Sequence, residues 1–184
     1  RVIADLASVG GTLPPDATVC QGDDVQLCVT GQTGNIDRWE QSADNGVSWS
    51  PINYNNLCYT PPTKQSSCYR AILRNGVCPP QPSSRSCLTI DATTVVGTLA
   101  QSATICRGSV PNALDLTGST ATSRTWQSST NCPAFTGPQV VANNVVTFAP
   151  PALIQTTCYR VVVQNGVCLP ETSNVVTISV DQTS

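Results

Sequence analysis

The chain repeats itself, and that constrains its fold more than any other feature. Residues 68–78 read CYRAILRNGVC, and residues 158–168 read CYRVVVQNGVC. The correspondence extends upstream: VGGTL at 9–13 answers VVGTL at 95–99, TVCQG at 18–22 answers TICRG at 104–108, and RWEQS at 38–42 answers TWQSS at 125–129. A pattern that recurs along one chain marks a structural unit built more than once. The spacing between equivalent residues grows along the repeat, so the extra residues of the second copy fall between the shared segments, where loops absorb them. Residues 8–92 are read as the first domain and residues 93–184 as the second. Residues 1–7 are expected to have the phase of the end of a preceding copy, because Asp5 stands before Gly11 as Asp91 stands before Gly97; the alternative is that they are a first strand.

Each copy reads as strands. The 184 residues include 14 prolines and 12 glycines as punctuation, and no methionine. Good helix formers are scarce, whereas the β-branched residues that suit a pleated surface are common. In copy one the expected strands are 11–13, 25–30, 36–42, 47–52, 57–60, 68–74 and 86–91, with Asp44-Asn45-Gly46 as a tight turn. Tyr69, Ala71 and Leu73 alternate with Arg70, Ile72 and Arg74, the period of a half-buried strand. Tyr159, Val161 and Val163 repeat this. Trp39 and Trp126 are mid-strand and are expected, with Tyr69 and Tyr159, in the cores. The fold class is all-β: two tandem sandwiches.

Several functions are disfavoured by composition. There is no histidine and a single lysine, Lys64, so the usual bases for an activated serine or cysteine are missing and no enzyme activity is expected. Asp23, Asp24, Asp44 and Asp91 are oxygen donors, but no calcium-loop motif surrounds them, and no metal or other cofactor is expected. Nine basic against eleven acidic residues give a net charge of -2, which offers nothing to nucleic acid. No apolar run is long enough to span a membrane. Ten cysteines without zinc-type spacing indicate disulfides and an oxidising, extracellular compartment. Arg38, Trp49, Tyr54 and Tyr59 could form a platform for a sugar, or simply pack on the sheet. Phe135 stands nearest to the position of Trp49 in copy two.

Taken together, GGTL…TVCQG…RWEQSADNGVSW…CYRAILRNGVC and its second copy resemble the Ig-like repeats of large surface proteins of Bacteroidota, including gliding adhesins. The resemblance implies two tandem Ig-like β-sandwiches, exported, strung in series and used as stalks or adhesive filaments at the cell surface. The alternative is an Ig-like accessory module that binds polysaccharide within a secreted enzyme.

Ig topology also suggests disulfide pairings. Cys132, after the tryptophan strand, and Cys158, at the start of a later strand, would lie at one end of the sandwich, giving Cys132–Cys158 and, by elimination, Cys106–Cys168. Copy one would then have Cys20–Cys78, with Cys58–Cys68 and Cys28–Cys87 from the remaining four. Six cysteines allow about fifteen connectivities, so other pairings stay open. Residues 1–7 carry Val2, Ile3 and Leu6, apolar side chains expected to pack on a neighbour. The expected partners are neighbouring repeats or identical subunits joined head-to-tail, with surface glycans as a further class.

Overall fold

A computed structural model describes residues 4–100, 102–132 and 134–182. The chain divides into two compact units, Arg1–Asp91 and Ala92–Ser184. The described residues contain strands, turns and bends, and no helix. In unit one the strands are β1 (Ala17–Cys20), β2 (Leu27–Cys28), β3 (Asn35–Ser42), β4 (Ser50–Ile52), β5 (Cys58–Tyr59), β6 (Ser67–Arg74), β7 (Gln81–Pro82) and β8 (Ser86–Asp91). In unit two they are β9 (Thr98–Leu99), β10 (Ala103–Cys106), β11 (Leu114–Thr117), β12 (Ser123–Ser129), β13 (Gln139–Asn143), β14 (Thr147–Phe148), β15 (Thr157–Gln164), β16 (Glu171–Thr172) and β17 (Val176–Asp181).

The larger sheets have the same order in both units, β1-β8-β6-β3-β4 and β10-β17-β15-β12-β13. Each is antiparallel except at one edge, where β1 runs parallel to β8 and β10 parallel to β17. Opposite them lie smaller sheets, β2-β5 and β14-β11-β9. The edge strands β1 and β10 are absent from the strands expected from the sequence. They bury little, with no residue of either strand fully buried, so they leave no apolar alternation to read.

Burial follows the alternation along β6 and β15. Tyr69, Ala71 and Leu73 are buried in unit one, and Tyr159, Val161 and Val163 in unit two. Trp39 and Trp126 are wholly enclosed. Each ring N–H has a partner: Trp39 Nε1 donates to the Asn56 carbonyl at 3.0 Å, and Trp126 Nε1 to that of Val145 at 2.9 Å. A buried indole without such an acceptor would lose a hydrogen bond it makes in water. Tyr59 lies against both Trp39 and Tyr69, with ring centroids 5.4 and 5.8 Å apart. Phe148 takes the same place between Trp126 and Tyr159, at 5.6 and 5.7 Å.

The repeated Gly-Thr pair has a backbone explanation. Gly11 has φ +69° and Gly97 has φ +77°, in the region that only glycine enters freely. A Cβ added at Gly11 would lie 2.5 Å from the Thr30 carbonyl oxygen, and at Gly97 2.4 Å from that of Thr117. The following threonines face threonines across a backbone pairing, Thr12 with Thr30 in an isolated bridge and Thr98 with Thr117 between β9 and β11, through hydroxyls 3.1 and 3.3 Å apart. Gly97→Ala therefore carries both a strained dihedral and a backbone collision. The expected result is a loss of about 1–3 kcal/mol confined to unit two, read as a lower unfolding midpoint for that unit while unit one keeps its own.

The cysteine pairing corrects several expectations. Cys28 is bonded to Cys58 and Cys68 to Cys87, so neither Cys28–Cys87 nor Cys58–Cys68 forms. The register explains this. Cys28 and Cys58 face each other across β2 and β5 in the small sheet, and Cys68 faces Cys87 across β6 and β8 in the large one. Both bridges join neighbouring strands of one sheet, whereas the expected pairs would have crossed between sheets. Cys132 is bonded to Cys158.

Cys78 and Cys106 are free thiols, so Cys20–Cys78 and Cys106–Cys168 do not form. Here the obstacle is distance along the sandwich. Cys20 is level with Asp91, beyond the first residue of β6, and Cys78 follows the last residue of that strand. Eight residues of strand span about 25 Å, while bonded cysteines have Cα atoms about 4.4–6.8 Å apart. The same strand order separates Cys106, level with Asp181, from Cys168 after β15. Cys20 and Cys168 each take part in a disulfide.

Candidate functional site

The features that recur in both units lie at the two poles of each sandwich. At one pole the chain entering the unit is tied to the Asn-Gly-Val-Cys loop. In unit one Asn75 N–H donates to Ser8 Oγ at 2.9 Å, Asn75 Nδ2 to the Leu6 carbonyl at 2.8 Å, and Val77 N–H to Asp5 Oδ2 at 3.2 Å. The Cys78 thiol lies 3.2 Å from the Leu6 carbonyl oxygen. In unit two Asn165 N–H donates to Thr94 Oγ1 at 3.1 Å and Asn165 Nδ2 to the Ala92 carbonyl at 2.7 Å. Cys168 Sγ lies 3.2 Å from that same carbonyl oxygen. Gly76 and Gly166 have φ +51° and +49°, which lets the loop turn back onto the entering segment.

At the opposite pole the leaving chain is tied to the other repeated cysteine. Cys20 is the register partner of Asp91, and Gln21 N–H donates to the Asp91 carbonyl at 2.8 Å. Cys106 is the partner of Asp181, and Arg107 N–H donates to its carbonyl at 3.2 Å. Entry and exit are therefore fixed at opposite ends by the same short motifs in both copies.

Of the residues expected in assembly, Val2 and Ile3 lie outside the described residues. Leu6 is 74% exposed. The hydrogen bonds of Asp5, Leu6 and Ser8 join this segment to the loop of its own unit.

The aromatic candidates separate. Tyr54 and Tyr59 stack on each other, 5.2 Å between centroids, and pack against the core that contains Trp39. Trp49 lies elsewhere, with the Arg70 guanidinium 4.2 Å above its ring. Four side chains are thus divided between two surroundings and form no common sugar platform. Beneath Trp49, Glu40 is largely buried and accepts from both Arg38 and Arg70, each with a contact of 2.7 Å. Unit two keeps the geometry with neutral chemistry: Arg160 Nε donates to Gln127 Oε1 at 2.9 Å and its guanidinium lies 4.3 Å above Phe135. The sequence hinted at this only through the proximity of Phe135 to the position of Trp49.

The acidic residues hold turns. Asp23 Oδ2 accepts from Cys20 N–H at 3.1 Å. Asp44 accepts from Ser42 Oγ at 2.7 Å and from Ser48 N–H and Oγ, closing a turn in which Asn45 and Gly46 have positive φ. These bonds, that from Ser42 above all, hold the Asp44 carboxyl well below the usual carboxylate range. The folded turn thus binds a proton less readily than the unfolded chain. Its contribution to stability is present above about pH 4 and is lost as pH falls through the lower, folded value. In an NMR titration Ser42→Ala should move the Asp44 midpoint upward. An unmoved midpoint would show that the Ser42 bond is not the cause.

Among the described residues no three His, Cys, Asp or Glu side chains are grouped to hold a metal, and no helix is long and apolar enough to cross a membrane. A cleft of about 400 Å³ in unit two is lined by Ala103, Ile105, Val110, Pro111, Leu114 and Ile178 with other uncharged residues. With Thr104 and Asn112 also in its lining, it presents polar and apolar surface in similar measure and no ionisable group.

Two small-stranded sandwiches of this topology place the chain among immunoglobulin-like all-β proteins. It is similar to a three-Ig fragment of titin, domains I67–I69 in an E-to-A variant, with a TM-score of 0.58 at 12% identity, over 96% of this chain and 66% of that one. It is also similar to Rst D1-D2, TM-score 0.58 at 14% identity, over 96% and 100% of the two chains. The N-terminal four Ig domains of Dscam1 isoform 6.9 match with a TM-score of 0.55 at 8% identity, over 98% of this chain and 47% of that one. No curated protein matches. By sequence the chain belongs to a family described as a domain of unknown function, DUF8696, matched twice, at residues 9–92 and 95–182.

Proposed function

We propose that the chain is a non-catalytic, extracellular, disulfide-stapled repeat of a cell-surface adhesin or filament. The observation that carries this reading is the duplicated attachment of the entering chain. Both copies bind it through the same asparagine, with the same main-chain and side-chain bonds, to a loop at one pole, while the leaving strand ends at the other. A unit made this way transmits tension from pole to pole through β8 or β17 and its hydrogen-bonded neighbours. Disulfides within each unit support the role, because they limit how far it extends under load and shrink the conformational freedom of the unfolded chain. The disulfides and the Ig-like fold also support an oxidising location outside the cell. The resemblance to repeats of Bacteroidota surface proteins supports an origin in such an array.

The experiment compares self-association with glycan binding. In light scattering and negative-stain microscopy the purified chain should form head-to-tail assemblies as concentration rises. A chain that stays monomeric at high concentration and binds a polysaccharide with saturation would replace this reading with the accessory-module one.

A further inference from the structure

We propose that Asn75 is a self-modifying site: the main-chain nitrogen of Gly76, beside the Asp5 carboxylate, attacks the Asn75 carboxamide, expels ammonia and so releases the entering chain from the loop that holds it. Asn-Gly occurs at 45–46, 75–76 and 165–166. The pair favours this ring closure, because glycine has no Cβ to obstruct its own nitrogen. The fold sets the three apart. Gly46 N–H donates to Ser42 Oγ at 2.7 Å, and Gly166 N–H to Thr122 Oγ1 at 3.0 Å. A nitrogen held in such a bond must give it up before it reaches the neighbouring carboxamide. Gly76 N–H has no acceptor among the described residues, and Gly76 is exposed. The carboxamides of Asn75 and Asn165 are held alike, each through Nδ2 to a carbonyl of its entering segment, at 2.8 and 2.7 Å. The two copies therefore differ at the attacking nitrogen.

Asp5 completes the site. Its Oδ2 accepts from Val77 N–H at 3.2 Å, and a Cβ added at Gly76 would collide with the same carboxylate. A carboxylate so placed takes the Gly76 amide proton as the nitrogen attacks. The bond from Gly76 N to Asn75 Cγ forms, the Cγ–Nδ2 bond breaks, and Nδ2 leaves as ammonia with that proton. The product is a succinimide ring. Water then opens it at the side-chain carbonyl, giving aspartate, or at the main-chain carbonyl, giving isoaspartate. One water is consumed and one ammonia released, with no change of oxidation state.

Either product undoes the attachment. The donor to the Leu6 carbonyl is lost, so acceptors face each other, and a second negative charge arises beside Asp5. Isoaspartate also adds a carbon to the main chain, within the turn that Cys78 N–H closes on the Asn75 carbonyl at 2.9 Å. The site lies wholly within unit one and does not depend on the filament reading.

The test incubates the full chain in mildly alkaline buffer, native in one arm and reduced in denaturant in the other. Peptide mapping follows the amide-to-acid mass gain at each asparagine, and isoaspartyl methyltransferase marks isoaspartate. In the native chain Asn75 should convert roughly tenfold faster than Asn45 and Asn165, a factor of the size that one hydrogen bond held or lost would give. In denaturant the three rates should converge. Thr122→Ala should raise Asn165 to the rate of Asn75, and Asp5→Asn should slow Asn75. The Asn75→Asp chain should lose about tenfold in hydrogen-exchange protection at the amides of residues 75 and 77. Equal native rates at the three asparagines, a ranking that persists in denaturant, an unmoved Asn165 in Thr122→Ala, or an Asn75 rate that Asp5→Asn leaves unchanged would each overturn the site. Unchanged protection in Asn75→Asp would overturn the release.

Discussion

Replacing Trp39 with alanine is expected to destabilise unit one by about 3–5 kcal/mol, the usual cost of emptying a large aromatic site in a core. Such a loss is a large share of the roughly 5–15 kcal/mol that stabilises a domain. The indole is fully buried against Tyr59, and its N–H satisfies the Asn56 carbonyl, so truncation opens a cavity and orphans an acceptor at once. Trp126→Ala should do the same to unit two, where Phe148 and the Val145 carbonyl are the counterparts. The two substitutions should each lower one unfolding transition and spare the other, because each tryptophan belongs to a separate core. Calorimetry or hydrogen exchange resolved by unit reads this directly. A Trp126→Ala chain that kept its stability but lost a specific ligand would make this residue part of a site.

The sequence carried the architecture well and the cross-links poorly. Duplication, the tryptophan strand and the period-2 run after Cys68 are local patterns, and each follows from what a half-buried strand requires of consecutive residues. The Asp44-Asn45-Gly46 turn is legible for the same reason, since positive φ at Asn45 and Gly46 restricts residue choice. Disulfide connectivity depends on register between strands far apart in the chain. Cys68 and Cys87 face each other only because Tyr69 pairs with Ser86 and Ser67 with Leu88, and no short window of sequence contains that information. The Arg70–Trp49 stack was hidden similarly. Its counterpart uses Phe135, which comes from a differently built turn with φ +49° at Phe135 itself, so alignment by residue type misses a shared geometry.

The poles show the same limit from the functional side. Asn75-Gly76 and Asn165-Gly166 read as turn signals, and a turn is what they make. Their further task, binding the entering chain through Asn75 and Asn165, involves partners some seventy positions away. Repetition flagged the loop as important, and only the fold shows which backbone it holds.

Reduction should weaken the two units unequally. Unit one contains Cys28–Cys58 and Cys68–Cys87, with sequence separations of 30 and 19, and unit two contains Cys132–Cys158, with a separation of 26. A cross-link closing a loop of this size restricts the unfolded chain by about 3 kcal/mol in the chain-entropy account. The two loops of unit one do not overlap in sequence, so their effects should nearly add. Full reduction is then expected to cost unit one about 6 kcal/mol and unit two about 3 kcal/mol from these bridges. The β2–β5 pair is especially exposed to this loss, since it consists of two residue pairs and one of them is Cys28 with Cys58. Hydrogen exchange with and without a phosphine reductant should show protection falling first and furthest in unit one. Replacing Cys68 and Cys87 together with alanine isolates one bridge and should lower unit one by about 3 kcal/mol. Reduction also cleaves the disulfides in which Cys20 and Cys168 take part, so the Cys68/Cys87 double variant is the decisive arm: an unchanged unit one there would mean that the strands themselves, rather than this staple, limit its unfolding.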